Sequence, residues 1–221
     1  MSERSQYPGA EPFVPPDADL ETLAGAAQGC RGCDLYERAT QTVFGRGPAD
    51  ARIVLVGEQP GDVEDQRGEP FVGPAGRLLV RALRDAEIDP ASTYRTNAVK
   101  HFRWRPAPGR GTRRIHAKPD TWHIVACRPW LAAELAVVDP AVIVALGATA
   151  GQALLGPSFR VTKERGTLIE YHPPDASGNA ERGPMLLLPT IHPSAVLRST
   201  DREAAYAGLV QDLCVAANAL A

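Results

Sequence analysis

The 221-residue sequence lacks the features that mark membrane and secreted proteins. No apolar run reaches the roughly 18 residues of a membrane-spanning helix, which excludes an integral helical membrane protein. The first residues contain no apolar stretch of the kind that a secretory signal requires, so we expect a cytoplasmic protein. Cysteine is scarce, with four residues in the chain. In the cytoplasm, such cysteines are metal ligands or core residues rather than disulfides.

Acidic residues are absent from residues 90–119, which contain eight basic residues. The rest of the chain has 16 basic and 26 acidic residues, so one segment concentrates the positive charge. Such a segment predicts contact with a polyanion at one place. A solvated basic loop is the alternative, because charge runs are common on surfaces. The basic residues are Arg95, Lys100, Arg103, Arg105, Arg110, Arg113, Arg114 and Lys118.

The composition is that of a globular chain, with 44% hydrophobic and 23% charged residues, which excludes wholesale disorder. Apolar runs that end in or near glycine or proline alternate with helical periodicities, a pattern that predicts an α/β fold with a parallel sheet covered on both faces. Residues 1–17 are predicted to be a Pro-rich tail and residues 18–221 a single domain. We predict strands over 52–57, 94–99, 142–147 and 185–189, helices over 20–28, 76–86, 120–135, 148–155 and 201–219, a loop over 109–118, and a hairpin over 160–171 that turns at Arg165-Gly166.

Three polar segments follow the ends of predicted strands. They are Gly57-Glu-Gln-Pro-Gly61, residues 97–101, and His192-Pro-Ser-Ala195. Ligands of open parallel sheets bind beyond the carboxyl ends of the strands. The sequence therefore predicts a functional site where these three segments converge.

The cysteines suggest a second site. Cys30 and Cys33 are spaced as a chelating pair, and Cys127 lies in a predicted helix. A fourth ligand would be Cys214 or a histidine such as His101, but Cys214 lies in an apolar helix stripe and we interpret it as a core residue. Zinc would also suit a Cys/His set, and a simple turn closed by the cysteine pair is the alternative without metal.

The chain contains five short motifs, GEQPG (57–61), GEPFVGPAG (68–76), TNAVK (96–100), ACRPW (126–130) and HPSA (192–195). Taken together and in this order, they resemble the iron–sulfur uracil-DNA glycosylases of family 4. Gln59 and His101 depart from that pattern, and a basic insertion ends in Arg113-Arg-Ile-His116. These departures resemble the UdgX subfamily, which excises uracil and remains covalently attached to the DNA, although Thr112 replaces the lysine usual in that loop.

The resemblance implies a three-layer uracil-DNA glycosylase fold, with a central four-stranded, mainly parallel sheet flanked by helices. It also implies a [4Fe–4S] cluster held by Cys30, Cys33, His101 and Cys127. The expected partner is uracil-containing DNA, either single-stranded or double-stranded, and in a duplex the base must first be flipped out. We expect a monomer.

The motifs supply side chains suited to bind and release uracil. Phe71 offers a stacking surface, and Asn97 matches the N3–H and O4 of uracil. His192 would donate a hydrogen bond to O2 as negative charge develops there, and Ser194 would hold a phosphate. Gly57 is assigned to the same substrate site. Core packing, a strand cap and a turn histidine are the structural alternatives for Phe71, Asn97 and His192.

The same motifs suggest how the sugar is captured. Gln59 stands where distant relatives carry an aspartate that orients water, and an amide cannot act as a general base. A neutral imidazole at His116 is the candidate nucleophile, with Glu58 as its carboxylate partner. Arg114 would fix the loop or contact phosphate. Two alternatives remain: a turnover glycosylase that uses water, and a non-catalytic metal-containing module that binds single-stranded nucleic acid.

Overall fold

The computed structural model describes residues 6–109, 112–172 and 184–220. In these ranges the strands are β1 (Ile53–Gly57), β2 (Thr93–Asn97), β3 (Trp104–Pro106), β4 (Arg114–His116), β5 (Val142–Leu146), β6 (Ile169–Tyr171) and β7 (Met185–Thr190). They form a five-stranded sheet with the order β2-β1-β5-β7-β6 and a separate two-stranded hairpin, β3-β4. The helices are α1 (Leu20–Ala27), α2 (Asp62–Arg67), α3 (Pro74–Asp85), α4 (Thr121–Val138), α5 (Ala148–Leu155), α6 (Val161–Glu164), α7 (Pro193–Arg198) and α8 (Arg202–Asn218).

The predicted α/β fold with a mainly parallel sheet is confirmed. Strands β1, β2, β5 and β7 run parallel, and every residue of β1 and β5 is buried. Their continuous apolar sequence follows from this burial, since helices cover both faces of the sheet. One face packs against α3 and α8, with Leu55 and Val144 in that core cluster. The opposite face packs against α4, with Val54 in its cluster.

The predicted number of four strands is wrong, because β6 adds a fifth strand at the edge. It pairs antiparallel with β7, in the register that places Tyr171 opposite Met185. The predicted hairpin over residues 160–171 is wrong in its first half, whereas its second half contains β6. Its first half is helix α6, whose start is fixed by the backbone N–H of Arg160 donating to Glu164 Oε1 at 3.0 Å.

Part of the predicted loop over residues 109–118 is a strand. β4 pairs antiparallel with β3, in the register that places His116 opposite Trp104. Each strand has only three residues, and Pro106 lies in one of them. Such short segments show no period-2 pattern, so the sequence does not reveal this hairpin.

The described part of the predicted N-terminal tail packs onto the rest of the protein. Ala10 is buried, and its backbone N–H donates to Ala126 O at 2.8 Å, while Gly9 N–H donates to Gly32 O at 3.0 Å. These bonds tie the segment to α4 and to the loop between the first two cysteines, so residues 9–10 are not a free tail. In the described ranges, no helix is long and apolar enough to cross a membrane.

Candidate active site

A cavity of about 700 Å³ opens at the carboxyl ends of β1, β2, β5 and β7. We call it the strand-end pocket. The predicted convergence is therefore observed, since residues from all three polar segments line it. The predicted site residues in its wall are Glu58, Gln59, Phe71, Asn97, His116, His192 and Ser194. Glu64, Thr149 and Arg198 also line it and were not found from the sequence.

Phe71 and Asn97 meet at Gly57, the last residue of β1. A Cβ atom at Gly57 would lie 2.3 Å from Asn97 Oδ1 and 2.7 Å from Phe71 Cζ, so only glycine allows this close approach. Phe71 has a φ of 58°, a strained conformation for a bulky residue. The ring of Phe71 faces that of His192, with centroids 6.5 Å apart and planes inclined by 29°. The pocket thus combines flat apolar surfaces with an amide at one end.

His192 precedes α7, and its hydrogen bonds define its tautomer. Nδ1 accepts the backbone N–H of Ser194 at 3.1 Å and the hydroxyl of Ser194 at 2.7 Å. The proton of the neutral ring is therefore on Nε2. Burial, together with Arg198 and His116, lowers the pKa of His192 to about 4. His192 is consequently a neutral hydrogen-bond donor at pH 7. Ser194 is turned towards His192, and these bonds do not support its predicted phosphate contact.

Glu58 and His116 face each other across the wall of the pocket. His116 Nε2 lies 3.3 Å from Glu58 Oε1, and their side chains are 49% and 22% exposed. The other oxygen, Oε2, accepts the hydroxyl hydrogen of Thr149. Burial lowers the pKa of His116, Glu58 opposes this shift, and Arg198 adds to it. The neutral imidazole that nucleophilic attack requires is therefore favoured.

Gln59 holds the base of the hairpin. Its Nε2 donates to Arg103 O and Ala117 O, both at 3.1 Å, and its Oε1 accepts Arg103 N–H at 3.1 Å. Arg103 precedes β3 and Ala117 follows β4, so one amide links both sides of the hairpin that carries His116. We therefore assign Gln59 a positioning role rather than direct chemistry.

Arg114 is an anchor for the hairpin. Its guanidinium donates to Asp62 Oδ1 and Asp65 Oδ2, each at 2.6 Å, and to Thr40 Oγ1 at 3.1 Å. Paired with two carboxylates, it is not free for a DNA phosphate, so of the two predicted roles the geometry supports the loop anchor. Arg110 lies outside the described residues, and Arg105 and Arg113 are exposed on the hairpin.

Three of the four predicted ligands of the iron–sulfur cluster lie together among buried apolar side chains. We call this part of the core, together with the fourth predicted ligand, His101, the cysteine region. Cys30, Cys33 and Cys127 are buried there against Ala98 and Val99. Backbone Lys100 N–H donates to Cys127 Sγ at 3.3 Å, and Trp130 Nε1–H donates to Cys30 Sγ at 3.2 Å. Cys214 lies elsewhere, against the core between α3 and α8. Such N–H donors on sulfur are typical of thiolate ligands of iron–sulfur clusters.

His101 has the protonation state that a ligand needs. The hydroxyl of Thr42 donates to Ala27 O at 2.8 Å, so its oxygen accepts Nε2–H of His101 at 2.9 Å. Nδ1 then keeps its lone pair, and burial lowers the pKa of His101 to about 4. In the described residues, no group of three His, Cys, Asp or Glu side chains is placed to share one metal ion. The ligands of a [4Fe–4S] cluster bind different irons, so this finding does not conflict with the donor set.

Burial raises the pKa of Cys33 and Cys127 to about 12. Thiolate ligands at these positions would need a nearby positive charge, which iron supplies. The chemistry of the donors therefore fits the predicted cluster.

A buried ion pair connects the strand-end pocket with the cysteine region, and the sequence gives no signal for it. Lys100 and Glu134 are 1% and 0% exposed, and their Nζ and Oε2 atoms are 2.5 Å apart. Lys100 Nζ also donates to Asn97 O at 2.7 Å. Glu134 Oε1 accepts Gly45 N–H at 3.0 Å and Tyr94 Oη–H at 2.9 Å. The network fixes the segment that ends β2.

Comparisons with known proteins point to one family. The model of the "Uracil DNA glycosylase superfamily" matches residues 44–214. The type-4 uracil-DNA glycosylase of Thermotoga maritima is 37% identical over 185 residues, which cover 83% of this chain and 86% of the relative. That of Pyrobaculum aerophilum is 32% identical over 185 residues, covering 81% and 85%. A DNA polymerase of Bacillus phage SP01 is 30% identical over 165 residues, which cover 74% of this chain and 16% of the polymerase.

Proposed function

Because the chain belongs to the uracil-DNA glycosylase superfamily, we propose that it excises uracil from DNA and then bonds covalently to C1′ of the abasic sugar through His116. The observation that carries the second step is the 3.3 Å approach of His116 Nε2 to Glu58 Oε1 in the wall of the strand-end pocket. The substrate is uracil-containing DNA, with single strands as the first form to test.

Uracil binding uses the flat surfaces and the amide of the pocket. The base lies against Phe71, and the Asn97 amide pairs with its N3–H and O4. Asn97 is buried, and its backbone carbonyl is held by Lys100 Nζ at 2.7 Å. This bond fixes the backbone of Asn97, from which the side-chain amide extends into the pocket.

Base release depends on His192. As the C1′–N1 bond breaks, its electron pair leaves with uracil and negative charge spreads to O2. The Nε2–H of neutral His192 donates a hydrogen bond to that oxygen, because Ser194 occupies Nδ1. Such a donor contributes most when charge develops, which stabilises the transition state. The sugar left behind is cationic at C1′, and the carboxylate of Glu58 stabilises that charge.

Capture then follows without an added reagent. A lone pair of the neutral His116 ring forms the new bond to C1′, and the ring becomes an imidazolium beside Glu58. The charges balance, since one cationic adduct and one uracil anion arise from two neutral groups. Gln59 and Arg114 hold the hairpin over the pocket for this step. A [4Fe–4S] cluster on Cys30, Cys33, His101 and Cys127 would serve as a structural tether.

The experiment is a denaturing gel of the protein with a uracil-containing oligonucleotide. We expect a heat-stable shifted band that forms only with uracil-containing DNA. Each protein molecule should form no more than one adduct. His116→Ser should abolish the band while uracil release continues, because water enters the vacated space. His192→Ala should slow uracil release by about 100-fold or more, the usual cost of losing an oxyanion donor.

Each alternative has its own signature in this experiment. Multiple turnovers of uracil release without a shifted band would indicate a water-dependent glycosylase. Binding without uracil release would indicate a non-catalytic module. A full-strength band from His116→Ser would exclude His116 as the nucleophile.

A further inference from the structure

Thr149 lies in the first turn of α5, at the floor of the strand-end pocket. It is buried, and its hydroxyl donates to Glu58 Oε2. Glu58 follows β1, whereas Thr149 follows β5, so this bond joins the ends of two neighbouring strands. No part of the proposed reaction uses Thr149.

The two oxygens of Glu58 are divided between two partners. Oε2 faces Thr149 and Oε1 faces His116. A carboxylate that is free to rotate exchanges its oxygens and binds water, whereas a carboxylate held on one side keeps a single orientation. The α5 N-terminus, where Gly147, Ala148 and Thr149 line the pocket, adds partial positive charge at the same end.

We propose that Thr149 is a positioning residue that turns Glu58 towards His116 and so directs capture of the abasic sugar to His116 rather than to water. This inference rests on the proposed function. The competing step is attack of a water oxygen on C1′, with one proton passing to Glu58 and a free abasic sugar as product. Thr149 suppresses that step because it occupies the oxygen on which a water would otherwise be held.

The test compares three threonine variants under single-turnover conditions. In Thr149→Val the adduct should form about tenfold more slowly, as expected for a lost hydrogen bond to a charged group, and a larger share of the product should be free abasic DNA. Thr149→Ser keeps the hydroxyl and should restore capture. Thr93→Val is the matched control, because Thr93 is equally buried and donates to Pro90 O at the other end of the sheet.

A double-mutant cycle separates positioning from a general packing effect. In a Glu58→Ala background, Thr149→Val should leave the adduct rate unchanged, because there is no carboxylate left to orient. Additive losses in the two variants would contradict the inference.

NMR titration of His116 in the free protein provides a readout that needs no DNA. The charged and titratable groups that line the pocket with His116 are Glu58, Glu64, Lys118, His192 and Arg198. Of these, Glu58 raises the pKa of His116 and Arg198 lowers it. Thr149→Val should lower the pKa of His116 further, since Glu58 is then less well placed to attract the proton, and Thr149→Ser should not. An unchanged titration, or an unchanged division between adduct and free product, would overturn the role of Thr149 alone. Uracil release without any wild-type adduct would overturn the proposed capture and this inference together.

Discussion

The strand-end pocket and the cysteine region share one short segment, residues 97–101, yet their side chains differ in exposure to solvent. In the pocket, Glu58 and His116 keep 22% and 49% of their side chains exposed. In the cysteine region, Cys30, Cys33 and Cys127 are buried and two of the sulfurs receive N–H donors. The proposed reaction needs access of DNA to the pocket, whereas the proposed cluster needs exclusion of solvent. We therefore expect substitutions in the cysteine region to affect the integrity of the whole protein. Substitutions in the strand-end pocket should affect single steps of the proposed reaction.

The largest expected effect is loss of the proposed cluster from a cysteine-region variant. Cys127→Ser should abolish the broad visible absorption of protein purified without air, because one of the four proposed ligands is removed. Cys214→Ser is the matched control and should keep that absorption, since Cys214 packs against a different core cluster. Absorption spectra of the two variants show which of the two cysteines the visible absorption requires. Loss of colour in Cys214→Ser alone would show that the ligand set is wrong.

The shared segment should be the next most sensitive. Lys100→Met leaves the carboxylate of Glu134 buried without its ammonium partner, so we expect the free energy of unfolding to fall by about 3–5 kcal/mol. Lys163→Met, at an exposed position on α6, should change it by less than about 0.5 kcal/mol. Urea unfolding of the wild-type protein and of the two variants measures these changes in free energy. Equal free energies of unfolding for Lys100→Met and the wild type would mean that the ion pair does not stabilise the segment between the two regions.

The two pocket histidines should respond differently to acid. Both have a pKa below the ordinary value of 6.5, and that of His192 is about 4. Adduct formation should therefore fall with protonation of His116 at a pH below 6.5, whereas uracil release should persist until the pH approaches 4. Rapid-quench measurement of both rates across this range tests the separation. If the two rates fall together, one group controls both steps.

The smallest expected effect concerns the exposed basic hairpin. Arg105→Gln and Arg113→Gln should each reduce the salt dependence of binding to uracil-free single strands by about 0.7 in the log–log slope. Arg84→Gln, at the exposed end of α3, is the control. Binding isotherms at several salt concentrations provide the slopes. An unchanged slope in the hairpin variants would place the path of the DNA elsewhere.

The sequence predicted the buried strands well because a strand covered on both faces is a continuous apolar run, as β1 and β5 are. It did not predict β3 or β4, and it placed β6 in a local hairpin rather than beside β7; each of these strands has only three residues. Their pairing depends on contacts with distant residues, such as the amide of Gln59 on the hairpin. Local pattern carries no information about those contacts.

The sequence predicted most of the residues in the candidate site, but fewer of the hydrogen bonds and ion pairs that these residues make. The order of the motifs predicted that Phe71, Asn97 and His192 belong to one site, and the structure places all three in one pocket. The direction of a side chain was not predictable, since Arg114 has the charge to bind phosphate but lies between Asp62 and Asp65. Thr149 has no motif of its own, because its role follows from the packing of α5 beside β1.

The most direct test of the central claim is mass spectrometry of the digested adduct formed with a uracil-containing single strand. The added mass of the abasic sugar should lie on the peptide that contains Ile115 and His116, and fragmentation should place it on His116. The same mass on another peptide, or recovery of the unmodified His116 peptide from the shifted band, would show that His116 is not the nucleophile.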